Sequence, residues 1–174
     1  MADMESVIEL ISCHLHQSHK KIIEFSKTNY SYEEWINWEI FDALKKANYH
    51  CSPKPSYRSL CSKSVGRFHA DIYAKSPVGN AEFIMEVALV GNATQDKWLK
   101  KIERDRFKLS SLTPTNDSLI KVQLVILVAD YHDLLHHWGG WLGRLEFWEE
   151  HPPVSICDQS VSGEIVFCHW EVAT

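Results

Sequence analysis

Two carboxylates in this chain are spaced to act together. Asp71 lies in the alternating segment Arg67 to Lys75 and Glu86 in the segment Ala81 to Val90, with Ser76-Pro77-Val78-Gly79-Asn80 as turn chemistry between them. A loop over Pro77 to Asn80 pairs Ser76 with Ala81. Asp71 then falls opposite Glu86, Lys75 opposite Glu82 and His69 opposite Ala88. Cross-strand partners on one face hold their Cβ atoms roughly 5 Å apart. Two carboxylates that close repel unless a cation lies between them, and a hard divalent ion such as Mg²⁺ or Mn²⁺ suits oxygen donors. In the segment that follows, Lys97, Lys101, Arg104 and Lys108 recur at helical spacing with Lys100 beside them. They form a basic face suited to a nucleic-acid backbone. Lys97 and Lys101 are near its start, where an ammonium beside metal-bound carboxylates orients water or stabilises charge on phosphorus. Each feature also has an ordinary reading, as solvated residues on an exposed sheet face and a solvated helix face.

Other chemistry-bearing residues are less organised. Glu39 sits on the edge of an otherwise apolar helix face, an odd place for a carboxylate unless it snorkels. His132 and His136 are four apart, with Asp133 and His137 adjacent, but no third zinc ligand is evident. His14, His16 and His19 fall on or near the polar side of the first helix and carry no assignment. Cys168 and His169 are neighbours on an alternating strand, so they point to opposite faces and form no dyad. Trp138, Trp141 and Trp148 suit either a stacking platform for bases or core packing. The cysteines are odd in number, Cys13, Cys51, Cys61, Cys157 and Cys168, with no CxxC, which predicts reduced thiols in a cytoplasmic protein.

The elements that must position these residues follow from periodicity. Met4, Val7, Ile8, Ile11, Leu15 and Ile22 predict an amphipathic helix over about 4–26. Ser31-Tyr32-Glu33-Glu34 reads as a capping box, with Ser31 as N-cap, before a helix carrying Ile36, Ile40, Ala43, Leu44 and Ala47. Residues 50–66 predict a loop and one short strand near Tyr57 to Cys61. The hairpin follows, then a helix capped by Asn92 with Gln95, with Trp98, Ile102, Leu109 and Leu112 on its apolar side. Leu119 to Ala129 is almost continuously apolar, as in a strand buried on both faces by parallel pairing. Residues 131–148 read as a helix interrupted by Gly139-Gly140 and Gly143, and Glu164 to Val172 as a final strand.

The chain has 174 residues, 45% of them hydrophobic and 24% charged, which excludes a disordered chain and suits one domain over 1–174. Lys plus Arg number 18 against 23 Asp plus Glu, a net charge of −5, so nucleic acid would be met by a local basic patch rather than a global field. No apolar run is long enough to span a bilayer. The N-terminus lacks the basic start and apolar core of a signal peptide.

The order helix, strand with Asp71, Glu86-Val87-Ala88, helix, strand resembles the PD-(D/E)XK nuclease-like superfamily, whose motif is an Asp followed by Glu-x-Lys on the next strand. The resemblance covers roughly residues 32–129. It implies an α/β fold with a mixed sheet and an αβββαβ restriction-endonuclease-like core, here with an extra N-terminal helix (about 4–26) and a C-terminal helix-strand extension (about 131–174). It implies metal-dependent hydrolysis of phosphodiesters, with Asp71, Glu86 and Glu39 as Mg²⁺ or Mn²⁺ ligands. Ala88 stands where the motif has lysine, so Lys97 or Lys101 from the next helix, or His69, is expected to substitute. Lys97, Lys100, Lys101, Arg104 and Lys108 are the expected nucleic-acid contacts. The missing lysine and the acidic charge favour the alternative, a catalytically inactive member serving as a binding or interaction module, for example in a mobile-element, defence or immunity context. A protein partner or a homodimer is compatible with either.

Overall fold

A computed structural model describes residues 4–28, 30–63, 67–91, 95–115, 118–150 and 153–173. Its centre is a six-stranded mixed sheet. In chain order the elements are α1 (Met4–His16), α2 (His19–Ser26), α3 (Glu33–Lys46), β1 (His50–Pro53), a 3₁₀ turn (Tyr57–Ser59), β2 (Cys61–Lys63), β3 (Ile72–Lys75) and β4 (Glu82–Val90). They continue with α4 (Gln95–Ser110), β5 (Thr113–Pro114), β6 (Leu119–Ala129), α5 (Leu134–Leu142), α6 (Glu146–Glu150), β7 (Val154–Ser160) and β8 (Gly163–Glu171). The sheet order is β1-β3-β4-β6-β8-β7, and β2 pairs separately with β5.

The first three sheet strands form an antiparallel meander, α4 crosses over, and β6 returns parallel to β4. The hairpin register is the expected one: Ile72 faces Met85 and Lys75 faces Glu82. The Lys75 ammonium lies 2.9 Å from the Glu82 carboxylate. β8 then pairs antiparallel with β6, and β7 with β8. The expected strand near Tyr57 to Cys61 is a 3₁₀ turn leading into β2, and the first strand of the meander is the earlier β1. The segment read as a strand from Arg67 is regular only from Ile72; before it, His69 makes one isolated bridge to Ser56. The expected cap at Asn92 lies outside the described residues.

Alternation along β4 and β6 divides the core. Phe83, Met85, Val87 and Leu89, with Val122, Leu124, Ile126 and Val128, pack under α1, α2 and α3. Ala88 and Val90, with Val125 and Leu127, face α4 and α5 through Leu99, Ile102, Leu134 and Trp138. Each large apolar side chain enclosed this way contributes roughly 1.5–3 kcal/mol. Both faces of β6 are thus covered, as its unbroken apolar run requires.

Three helical details differ from expectation. The N-terminal helix is two helices, broken at Gln17-Ser18, where His16 and His19 turn toward β7. The capping box at Ser31 does not form: α3 starts at Glu33 with Tyr32 as N-cap and no side-chain cap bond. Glu34 instead pairs with Lys54 at 2.8 Å. The C-terminal helical stretch breaks after Leu142, while Gly139 and Gly140 lie inside α5. Among the described residues no helix is long and apolar enough to cross a membrane.

Candidate active site at the open edge of the central sheet

β3 is four residues long and β4 is nine. Beyond Asp71, whose N–H donates to the Met85 carbonyl at 3.1 Å, β4 has no strand on that side among the described residues. Its outward backbone groups must find other partners, because buried peptide groups are rarely left unpaired. Side chains supply them. The Asp71 carboxylate accepts from the Val87 N–H at 2.8 Å. The Glu33 carboxylate, from the first turn of α3, accepts from the Leu89 N–H at 3.4 Å. The Lys101 ammonium, from α4, donates to the Val87 carbonyl at 2.6 Å. Three charged side chains therefore converge because the sheet opens here.

A second layer lies beneath them. Lys101 also contacts Asp105 at 2.7 Å and Glu33 at 3.5 Å. Asp105 holds Lys108 at 2.8 Å, and Lys108 reaches Glu86 at 2.8 Å. Tyr57, fully buried, donates its hydroxyl to Glu86. Glu86 and Asp105 are each only 2% exposed. Four carboxylates and two ammonium groups thus share one enclosed site.

The titration behaviour follows. Burial pushes Glu86 up to about 8; negative Asp105 and Asp71 add to the rise, and Lys108 offsets part of it. Glu33 is raised as well, first by burial, with Lys101 opposing. Burial disfavours the Lys101 charge, but Glu33, Asp105 and Asp71 outweigh it and the ammonium is held above its ordinary range. Burial first, and then Glu86, raise the Tyr57 hydroxyl.

The expected residues divide. Asp71 and Lys101 meet at Val87, and Glu86 is linked to Lys101 through Asp105 and Lys108. Glu39 does not join them: it faces α1, where its carboxylate lies 3.2 Å from His14. The acidic residue that α3 contributes is Glu33, one turn and a half earlier. His69 is exposed and takes no part in the carboxylate–lysine network. The basic stripe is split by its surroundings. Lys97, Lys100 and Arg104 are exposed, whereas Lys108 is buried against Glu86 and Asp105 and cannot face a backbone phosphate. Lys97, Trp98, Lys100, Lys101 and Arg104 line a groove of about 520 Å³, so Lys101 belongs to both the groove and the network. His132 and His136 are exposed and form no ligand group with a third residue among those described. Trp138 meets Trp141 edge-to-face with ring centroids 5.4 Å apart, and Trp148 meets Trp170 at 5.1 Å, as packing rather than an open platform.

Sequence reasoning missed Glu33, Tyr57 and Asp105. Only Asp105 left a usable signal: with Ile102 and Leu109 it falls on the buried side of α4, an odd place for a carboxylate.

The donors are of the kind a hard cation takes, although the described groups that bring three ligand atoms within 4.8 Å of one another are His14–Glu39–Asp42 and His16–His19–Asp158, not the carboxylates at β4. At β4 every available donor is oxygen, from carboxylates and the Val87 carbonyl, and the Lys101 ammonium already lies among them as a positive charge. Compared with protein-family models, curated proteins and solved structures, the chain matches none.

Proposed function

We propose that the chain is a divergent PD-(D/E)XK-like nuclease that hydrolyses phosphodiester bonds of nucleic acid with Mg²⁺ or Mn²⁺. Its αβββαβ core would comprise α3, β1, β3, β4, α4 and β6. The observation that carries this reading is the convergence of Glu33, Asp71 and Lys101 at the open edge of β4, with Glu86 linked to Lys101 through Lys108 and Asp105. A bound divalent ion supplies phosphate polarisation and an acidified water. Asp71 and Glu33 are the residues to hold it, and Glu86 joins them only by leaving Lys108, since the three do not already form a three-ligand group among the described residues. Asp71 and Glu33 have oxygen lone pairs to spare, since among the described residues each accepts from one backbone N–H. Glu86 must release its proton to ligate, because burial keeps it protonated up to about pH 8.

Lys101 takes the role of the lysine absent at Ala88. It reaches the Val87 carbonyl from α4 rather than from the strand and keeps its charge there, which suits stabilisation of negative charge on phosphorus. The adjoining Lys97, Lys100 and Arg104 give the groove three exposed cations for backbone phosphates.

One observation favours a second reading, a catalytically inactive member of the same fold used as a binding or interaction module. Tyr57 and Lys108 already occupy the Glu86 carboxylate, and the enclosed charges pair among themselves. Cleavage of single- and double-stranded DNA and RNA with Mn²⁺ separates the two. Glu33→Gln, Asp71→Asn and Lys101→Met are expected to lose about a hundredfold or more, within the range typical of single catalytic groups. Glu39→Gln is expected to match wild type. Equal cleavage by all variants refutes the assignment. A wild type that neither cleaves nor binds Mn²⁺ by calorimetry leaves the interaction module.

A further inference from the structure

On the far side of the sheet, His16 and His19 flank the break between α1 and α2 and converge on Asp158 of β7. We propose that these three residues form a binding site for a divalent transition metal of the zinc class, distinct from the oxygen-rich site on β4.

The argument begins with the His19 ring, which is buried. Its Nε2 lies 3.2 Å from the Gly163 carbonyl. A carbonyl only accepts, so Nε2 carries the hydrogen. In the neutral ring Nδ1 then carries a lone pair. That lone pair points at another acceptor: Nδ1 is 2.8 Å from one Asp158 oxygen. Two lone pairs at that distance require something positive between them. The His16 Nδ1 lies 2.8 Å from the other Asp158 oxygen. Two imidazole nitrogens and a carboxylate therefore face one another, with the three ligand atoms within 4.8 Å.

A metal resolves this arrangement. Two histidines and one carboxylate are a recurrent zinc ligand set, and imidazole nitrogen selects zinc-class ions over Mg²⁺. The Gly163 carbonyl on the remote nitrogen is the support that metal-bound histidines regularly have, fixing the ring so that the other nitrogen is free to ligate. A tetrahedral ion with bonds of about 2.0–2.1 Å sets its donors about 3.3 Å apart, so ligation parts the rings and carboxylate by about half an ångström. The His16 side chain, 64% exposed, has room to move by that much. The fourth position opens toward a groove of about 570 Å³ lined by Gln17, Lys20, Ser160 and Ser162 as well as the two histidines. Water or an anion has access there. Two neutral rings and one carboxylate leave a divalent ion with net positive charge, which favours such a ligand. The bound ion ties the α1–α2 break to the outermost strand.

Full-length protein stripped with a chelator is titrated with Co²⁺ and Zn²⁺, read by visible absorption, calorimetry and melting temperature. Wild type is expected to bind one equivalent at this site, to show the d–d bands of tetrahedral Co²⁺, and to melt about 5 °C or more higher at hundredfold excess over Kd. His16→Ala, at an exposed position, is expected to fold normally and weaken binding by about tenfold or more. Asp158→Asn is expected to lose the bands. Asp71→Asn is expected to keep both responses, which separates this site from the proposed catalytic one. Wild type without bands and without a melting shift means that a proton fills the gap, and overturns the site. So does a His16→Ala protein that binds Co²⁺ as wild type does.

Discussion

Replacing Glu86 by Gln removes one ionisation from an enclosed network while keeping the side chain's shape. The Gln carbonyl still accepts from Tyr57, and Lys108 keeps Asp105 at 2.8 Å. What disappears is the pH dependence. Folded Glu86 holds its proton up to about 8, against an ordinary value of 4.5. Between these values the native state binds the extra proton. Wild-type stability therefore falls as pH rises through that window, and the loss is complete above about 8. At about 1.36 kcal/mol per pH unit the whole window corresponds to about 5 kcal/mol. Urea titrations of both proteins between about pH 5.5 and about pH 8.5 sample roughly 3 kcal/mol of it. The expected outcome is that Glu86→Gln gains this amount on wild type across the range and is the more stable protein at the alkaline end. Contributions from groups outside the Glu86 network cancel in the difference. A difference that stays constant within about 1 kcal/mol would mean that Lys108 keeps Glu86 ionised throughout, and would refute the reasoning.

Three further outcomes are expected. Mn²⁺-dependent cleavage should rise with pH as Glu86 loses its proton, with the rise lying below the metal-free value of about 8 because Mn²⁺ favours the ionised carboxylate, and Glu86→Asp should shift it; a pH-rate profile reads both. His169 is 1% exposed with neither ring nitrogen bonded among the described residues, and burial lowers its pKa. The unfolded chain takes up that proton more readily, so wild type loses stability on acidification below about pH 6.5; His169→Leu should gain about 1–2 kcal/mol at neutral pH and more in acid, measured by thermal melts. Gly163 has φ +145°, and an added Cβ would lie 2.2 Å from the Ala129 carbonyl oxygen, so Gly163→Ala should cost about 3 kcal/mol or more in chemical denaturation.

The hairpin was legible in the sequence because its register depends on local features: a turn-rich connection, alternating strands and the Lys75–Glu82 pair. Lys101 was legible from helical spacing for the same reason. Glu33 was not. In the first turn of a helix a carboxylate already has an ordinary explanation in the helix dipole, and its partner, the Leu89 N–H, is 56 residues away. Lys108 shares the spacing of exposed lysines, and only the buried Asp105 and Glu86 reveal that its part of the helix faces inward. Glu39 was rightly placed on an inward edge, but what it meets is α1. β7 was overlooked because it is an edge strand with alternate residues exposed, so it lacks the apolar run that marks β6.

The shortness of β3 also sets how the protein opens. β1 and β3 form a ribbon held to β4 by four residue pairs, whereas β6 is hydrogen-bonded along both of its edges. Lifting that ribbon breaks few bonds and carries Asp71 away from the Val87 N–H. Amide hydrogens of β1 and β3 therefore exchange with solvent through this partial opening, while those of β6 wait for global unfolding. Asp71 and β1 move as one piece, joined by the Lys54 N–H on the Asp71 carbonyl at 2.9 Å. Anything that grips the Asp71 carboxylate accordingly slows deuterium uptake at His50–Pro53, a segment that never touches it.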